Sequence, residues 1–234
     1  MKKVLCCFLV IIMSFALCCC KTEKTEKIKQ KASPLKDGTE TYYVNEYDIN
    51  KNLIHSSRYT SYDRIIEEYE YSYTYDLNGK LFKIIKKDAK NGCYTETIFN
   101  KFRNKTEEIS YNKNKVILNR KEFMKNGNIK KKVNYKNGSE TGYILYDYYS
   151  DNQLKNATEY SVDGKAVKIT TYYKNKLLYQ IKQFNKDGMI EKITKYSYNG
   201  DKLTKKSIYD SEFNLVQVTD YTKNPPEIIK EKSG

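Results

Sequence analysis

An aromatic residue returns every twelve positions along most of this 234-residue chain. The series runs Tyr47, Tyr59, Tyr71, then Tyr75, Lys87, Phe99, Tyr111, Phe123 and Tyr135. It resumes as Tyr148, Tyr160, Tyr172, Phe184, Tyr196, Tyr209 and Tyr221. Only Lys87 breaks it, although aromatics make up just 14% of the residues. A twelve-residue unit is too short for a pair of helices and fits one β-strand plus one turn.

With the recurring aromatic placed at position seven, Ile129-Lys131-Val133-Tyr135 occupies positions one, three, five and seven. Leu154-Asn156-Thr158-Tyr160, Leu178-Gln180-Lys182-Phe184 and Leu215-Gln217-Thr219-Tyr221 fit the same frame. Residues two apart in a strand share a face, so each unit is expected to present an aliphatic at one end and an aromatic at the other. Asn-Gly or Asp-Gly dipeptides mark turns at Asn78-Gly79, Asn126-Gly127, Asp163-Gly164, Asp187-Gly188 and Asn199-Gly200. Connections of about five residues force antiparallel pairing, because a parallel crossover needs a dozen or more. Aromatic and aliphatic are then expected to meet across each turn.

The middles of the strands are polar, and the other face is only sporadically apolar (Ile181, Ile193, Ile208, Val218). Mean hydropathy is −0.81. A sandwich or filled barrel needs a continuous apolar face. The pattern therefore predicts an all-β fold: a long, twisted antiparallel meander of tandem β-hairpin repeats, partly single-layer, behind an N-terminal signal helix. The slips in the series (Tyr71 to Tyr75, Tyr135 to Tyr148, Tyr196 to Tyr209) are expected to be bulges or longer loops.

Residues 1–20 read as an export signal. Lys2 and Lys3 precede an apolar stretch from Val4 to Leu17, which ends in Cys18-Cys19-Cys20 before a polar run. This layout resembles a bacterial lipoprotein signal. Cys20, with Leu17 three residues before it, fits lipid attachment best; Cys18 and Cys19 are the alternatives. Residues 21–40 read as a flexible Lys-rich tether, residues 41–222 as the repeat domain, and residues 223–234 as a C-terminal tail beginning near Pro225 and Pro226. The expected address is the bacterial cell envelope, lipid-anchored at an outer membrane or cell surface.

Five of the six cysteines lie in the signal, so Cys93 has no partner for an internal disulfide and reads as a small strand hydrophobe. Chemistry is sparse. His55 is the only histidine, in a strand-centre position, and is expected to be exposed and structural. Without further histidines, Ser-His-Asp, Cys-His and zinc arrangements lack their parts. Glu67-Glu68, Glu107-Glu108 and Asp147 with Asp151 are the carboxylate pairs that a glycoside hydrolase could use. No cofactor or metal site is expected. The net charge of +14 comes mostly from dispersed lysine, which solubilises β-surface and guards sheet edges.

Tyr75-Asp-Leu-Asn-Gly-Lys-Leu81, Tyr160-Ser-Val-Asp-Gly-Lys165 and Phe184-Asn-Lys-Asp-Gly188 resemble the YD-type repeat of bacterial surface proteins. Over Tyr42 to Tyr221 the tandem hairpins are also similar to MORN-variant repeat proteins, some of them antitoxin components. Architecturally the chain resembles Lys-rich spirochaetal outer-surface lipoproteins with a single-layer sheet. These resemblances imply export, lipidation and a repeat sheet, and they bring no catalytic residues. The functional expectation is a non-enzymatic, lipid-anchored envelope protein whose β-surface binds or spaces. Its partners would be the membrane through the lipid, and an anionic glycan or a protein; nucleic acid is not an expected partner. The other readings are an adhesin for anionic glycan or host matrix, an envelope glycoside hydrolase, and an antitoxin-like repeat protein. The recurrent aromatics Tyr111, Phe123, Tyr135, Tyr148, Tyr160, Tyr172, Phe184, Tyr196, Tyr209 and Tyr221 are the candidate surface residues.

Overall fold

A computed structural model describes residues 25–229. The expected signal, with Cys18, Cys19 and Cys20, lies outside the described residues. The described part is all-β: β1 (Glu26–Ala32), β2 (Thr41–Tyr47), β3 (Leu53–Thr60), β4 (Ile65–Tyr75), β5 (Leu81–Asp88), β6 (Tyr94–Phe99), β7 (Lys105–Tyr111), β8 (Ile117–Phe123) and β9 (Ile129–Lys136). The order continues with β10 (Ser139–Tyr148), β11 (Leu154–Tyr160), β12 (Ala166–Tyr172), β13 (Leu178–Phe184), β14 (Ile190–Asn199), β15 (Lys202–Tyr209), β16 (Leu215–Asp220) and β17 (Glu227–Ile229). Each strand pairs antiparallel with the one before and after it, giving one open seventeen-stranded meander.

The turns are built alike. Eleven of them join their strands directly and close with the same two backbone bonds, as where Asp48 N–H donates to the Asn52 carbonyl and Lys51 N–H to the Asp48 carbonyl; the same pair of bonds recurs at Leu35–Thr39 inside the longer β1–β2 connection. The fourth residue of each is left-handed. This is a type I turn followed by a positive-φ residue, the usual three-residue hairpin loop. Among the eleven, glycine fills that position at Gly79, Gly127, Gly164 and Gly188; in the others it is Lys51, Asp63, Arg103, Lys115, Asn152, Lys176 or Phe213. The more general sequence signal is an Asp or Asn directly after the aromatic. Asp48, Asp76, Asn100, Asn112, Asn185 and Asp210 each accept, through one side-chain oxygen, the N–H groups two and four residues on. Such Asx turns fix the loop before any glycine is needed.

The aromatic meets the next aliphatic as expected: Tyr47 opposite Leu53, Tyr59 opposite Ile65, Tyr111 opposite Ile117, Phe123 opposite Ile129, Tyr172 opposite Leu178 and Phe184 opposite Ile190. The register then jumps by one residue. Tyr111 faces Ile117 but Ser110 faces Asn119, which leaves Leu118 as a bulge. The same jump follows every one of the eleven turns. A one-residue insertion exchanges the faces. Position one therefore does not share a face with positions three, five and seven; this corrects the frame drawn from simple alternation. Of the bulged apolar residues, Phe82, Leu118, Val167, Tyr179 and Val216 are exposed, while Ile54 and Ile66 near the N-terminal end of the sheet are half-buried.

Successive aromatics consequently alternate sides. Tyr59, Tyr111, Tyr135, Tyr160, Phe184 and Tyr209 fall on one face; Tyr47, Tyr75, Phe99, Phe123, Tyr148, Tyr172 and Tyr196 fall on the other. The first set lies toward the edge made by turns after odd-numbered strands, and the second toward the edge made by turns after even-numbered strands. Each face has one aromatic–aliphatic band, and the two bands sit at opposite edges. Among the described residues the only fully buried hydrophobic side chains are Val133 (4% exposed), Ile193 (3%) and Val218 (7%).

Three boundaries differ from expectation. Part of the presumed tether is strand β1, which needs no core because it pairs with β2 throughout. Its lysines are engaged: Lys27 and Lys31 reach Glu46 and Glu40 at 2.7 and 3.0 Å, and Lys29 caps the Tyr42 ring at 3.7 Å. Within the presumed tail, β17 pairs with β16. The slips in the aromatic series come with longer strands and not longer loops, and two of them carry the expected bulge, at Thr141 between Tyr135 and Tyr148 and at Thr204 between Tyr196 and Tyr209. β4 runs for 11 residues, while β10 and β14 run for 10 each and adjoin the two-residue turns Asn137-Gly138 and Gly200-Asp201. Asn137 and Gly138 both have positive φ, as the tightest hairpin requires.

The turn geometry yields a stability prediction. Phe213→Gly, at an exposed left-handed position, should stabilise the sheet by about 0.5–1 kcal/mol in a urea titration, since strain relief outweighs the added chain entropy. Gly142→Ala should destabilise by more than about 1 kcal/mol, because a Cβ there would run into the Tyr160 carbonyl at positive φ.

Candidate binding surface

All ten candidate aromatics, Tyr111 through Tyr221, are half-buried. Seven of them close a bulged three-residue hairpin: Tyr111, Phe123, Tyr148, Tyr160, Tyr172, Phe184 and Tyr209. Three do not. Tyr135 faces Glu140, Tyr196 faces Lys206, and Tyr221 lies beyond β16 with its N–H on the Thr204 carbonyl. In the β14–β15 hairpin Tyr198 takes the pairing role, opposite Leu203. Periodicity alone could not separate Tyr196 from Tyr198, which lie on the same strand face.

The sequence pattern did not single out the second aromatic in three cross-strand stacks. Tyr42 stacks on Tyr59, Tyr94 on Tyr111 and Tyr143 on Tyr160, with centroids 5.2, 4.6 and 4.9 Å apart and planes within 15°. Each pair is directly opposed in the ladder, where side chains come closest. The pairs recur every four strands, in β2–β3, β6–β7 and β10–β11. Lysines cover the outer rings of the first and third, Lys29 over Tyr42 and Lys131 over Tyr143 at 4.4 Å. Asp63 accepts the Tyr42 hydroxyl proton and holds that phenol up to about 12.

On the other face, Tyr43, Tyr69, Tyr71 and Lys86 line a shallow open hollow with Leu53 and Glu67. Lys86 Nζ lies 3.6 Å from the Tyr69 ring centre and 5.9 Å from that of Tyr71. Arg58 pairs with Glu67 at 2.8 Å beneath Tyr43. Burial, then neighbouring phenols and carboxylates, raises the Tyr69 and Tyr71 hydroxyls above their usual range, so both stay neutral donors. Further along, Tyr173 meets Tyr179 and, edge-on, Tyr198 beside a wider cleft at the turns after β12 and β14.

The residues considered for chemistry are placed as follows. His55 is half-buried, not exposed: Nε2 lies 3.2 Å from Glu68 and Nδ1 3.7 Å from Glu46. Ser57 Oγ lies 3.5 Å from Nε2 but is almost fully buried, and Glu68 already occupies that nitrogen. A nucleophile needs a free base and an accessible hydroxyl, and this cluster offers neither. Glu67 and Glu68 point to opposite faces, as do Glu107 and Glu108. Each has its own partner: Arg58, Arg120 and Lys121 pair with Glu67, Glu107 and Glu108, and the His55 ring lies against Glu68. Cys93 is half-buried in the loop before β6, one residue short of the strand frame. Among the described residues no cluster of His, Cys, Asp or Glu could hold a metal ion.

The surface and the sheet together define an open, single-layer β-hairpin repeat protein. No family model and no curated protein matches the chain. Solved structures do. A porin-like protein from Bacteroides uniformis is 12% identical, with the overlap covering 87% of this chain and 93% of that one at a TM-score of 0.36. TcdB2-TccC3 is 11% identical over 82% of this chain and 12% of its own length, at 0.34. Neither overlap bears on what this chain binds.

Glu108 provides a pH test. Burial pushes its carboxyl up, but Lys121 at 2.6 Å and Lys105 at 3.4 Å outweigh burial and hold it below the ordinary 4.5. Stability from this cluster is therefore present above the unfolded value and lost as pH falls through the lowered folded one. Between about pH 7 and about pH 3, Glu108→Gln should lose less of its urea midpoint than the parent chain. Equal losses would show that the lysines contribute nothing to folding.

Proposed function

We propose that the chain is a non-enzymatic, lipid-anchored protein of the bacterial envelope whose β-repeat surface serves as a binding or spacer module. The observation that carries the reading is the sheet itself. Seventeen strands spread into one layer with two wet faces, and almost nothing is enclosed. Such a shape maximises displayed surface per residue and builds no sheltered cavity in which water could be excluded from a reaction. The guarded histidine and the separated glutamates are in keeping with this, and the signal-like N-terminus supplies the address.

Within this reading, an anionic glycan is the ligand class favoured by a specific feature, the hollow of Tyr43, Tyr69, Tyr71 and Lys86. Aromatic rings stack on sugars, while a cation held at the ring attracts carboxylate or sulfate.

Two outcomes are expected. Globomycin, or Cys18, Cys19 and Cys20 all changed to Ser, should leave the precursor unprocessed; a normally processed, soluble product overturns the anchor. Lys86→Ala should weaken retention on an immobilised sulfated glycan several-fold at low salt and change little at high salt. Retention unaffected by both salt and this substitution removes the glycan reading.

A further inference from the structure

β1 runs antiparallel to β2, with Glu26 opposite Tyr47. The chain therefore enters the sheet at the edge made by the turns after even-numbered strands. The first three turns of that edge each raise one large apolar side chain into solvent: Ile49 (72% exposed), Leu77 (fully exposed, 106%) and Phe102 (70%). No turn bond or packing contact requires an apolar residue at these tips, since Asp48, Asp76 and Asn100 already fix the loops. Exposed cations surround them: Lys51, Lys80, Lys101, Arg103 and, on the next turn, Lys125. The only acids in these four turns are Asp48 and Asp76, whose oxygens accept the turns' own N–H groups. The aromatic band with Tyr75, Phe99 and Phe123 runs just behind the tips.

We infer that this turn edge of β2–β9 is a membrane-contact surface, on which Ile49, Leu77 and Phe102 enter the headgroup region of a bilayer and the lysines and arginine meet anionic phospholipid. The inference rests on the proposed anchor. From Cys20 to Glu26 is six residues, a reach of at most about 20 Å, and the strand enters at the edge that bears the tips. Adjacent turns of one edge stand about 10 Å apart, and strands twist by about 20–25° each. Leu77 is on the middle turn and the most exposed of the three, with Ile49 and Phe102 on the turns to either side. Apolar tips ringed by cations match an interface whose outer layer is anionic and whose depth is apolar. The other rows differ in charge. Val162, Met189 and Phe213, on three turns of the opposite edge, stand among Asp163, Asp187, Asp210 and Glu212, against Lys165 and Lys186.

The chain contains no tryptophan, so single substitutions report cleanly. Full-length Leu77→Trp and Tyr62→Trp chains, purified from membranes, would be reconstituted into vesicles of phosphatidylglycerol and brominated phosphatidylcholine. Tyr62 is 87% exposed on the turn between β3 and β4, at the opposite edge of the same strands. Bromolipid should quench the Leu77→Trp emission several-fold more than that of Tyr62→Trp. Changing Lys80, Lys101 and Arg103 to Glu should remove most of the difference. Equal quenching at both positions, or none at Leu77→Trp, overturns the proposal; blue but unquenched emission there places protein, not lipid, over the tip and also overturns it. The mass of the N-terminal peptide from the same preparation separates the two ideas. A lipidated chain without quenching refutes the contact alone, whereas an unlipidated one refutes the anchor, and the contact is then judged by the same quenching on adding that chain to the vesicles.

Discussion

One extra residue per hairpin governs this molecule. After each three-residue turn the strand begins with a bulge, and that single insertion sends the next aromatic to the other face. Without it, every twelve-residue unit would place its aromatic on one side, and the sheet would need a second layer to cover it. With it, apolar surface is divided between two faces and confined to opposite edges. Neither band is wide enough to recruit another sheet, so the chain stays in one layer. The bulge also increases local twist, which suits a long meander that meets no partner.

Stability in such a sheet has to be local. Each strand touches only its neighbours in sequence, and three buried aliphatic residues cannot make a core. What remains is the backbone ladder, the aromatic–aliphatic pair at each turn, and cations laid on rings. Each cross-strand pair contributes roughly 0.2–1 kcal/mol, so the total grows with the number of hairpins, as in other nearest-neighbour repeat arrays. The replacement of an aliphatic by Lys105 shows how tolerant the rule is. It stands opposite Phe99, yet its ammonium lies 3.8 Å over Phe123 of the adjoining strand and reaches Glu108, so a charged residue caps another ring of the same band by cation–π contact.

The period of twelve made the all-β class, the antiparallel order and a partly single-layer meander legible, because each follows from spacing and polarity. The meeting of aromatic and aliphatic across each turn followed as well. Facing did not. A bulge costs one residue of register but leaves the twelve-residue spacing intact, so Leu118 or Val167 looks in sequence like any second strand residue. The ends of the sheet were also hidden: Glu26–Ala32 has a tether's composition and becomes a strand because an edge needs only a backbone partner and charges to blunt it. At the candidate surface, Tyr42, Tyr94 and Tyr143 lie outside the aromatic series, and only register reveals that they stack on Tyr59, Tyr111 and Tyr160. His55 was misjudged as exposed since its partners, Glu46 and Glu68, come from the two flanking strands.

A sheet with two solvent faces and two turn edges offers more places for contact than a compact domain of equal length, and its charge decides among them. Both faces interleave acids with lysines: Glu107 with Arg120 on one, Glu108 with Lys121 and Glu159 with Lys168 on the other. These pairs spend positive charge internally. The early turns after even-numbered strands do not, since their two aspartates are occupied by backbone N–H groups. Five cations against two acids therefore stand beside the exposed tips Ile49, Leu77 and Phe102 and on the neighbouring turn, near the point where β1 begins. Composition alone describes the protein as basic throughout; the hairpin register shows where that charge is free to meet an anionic surface.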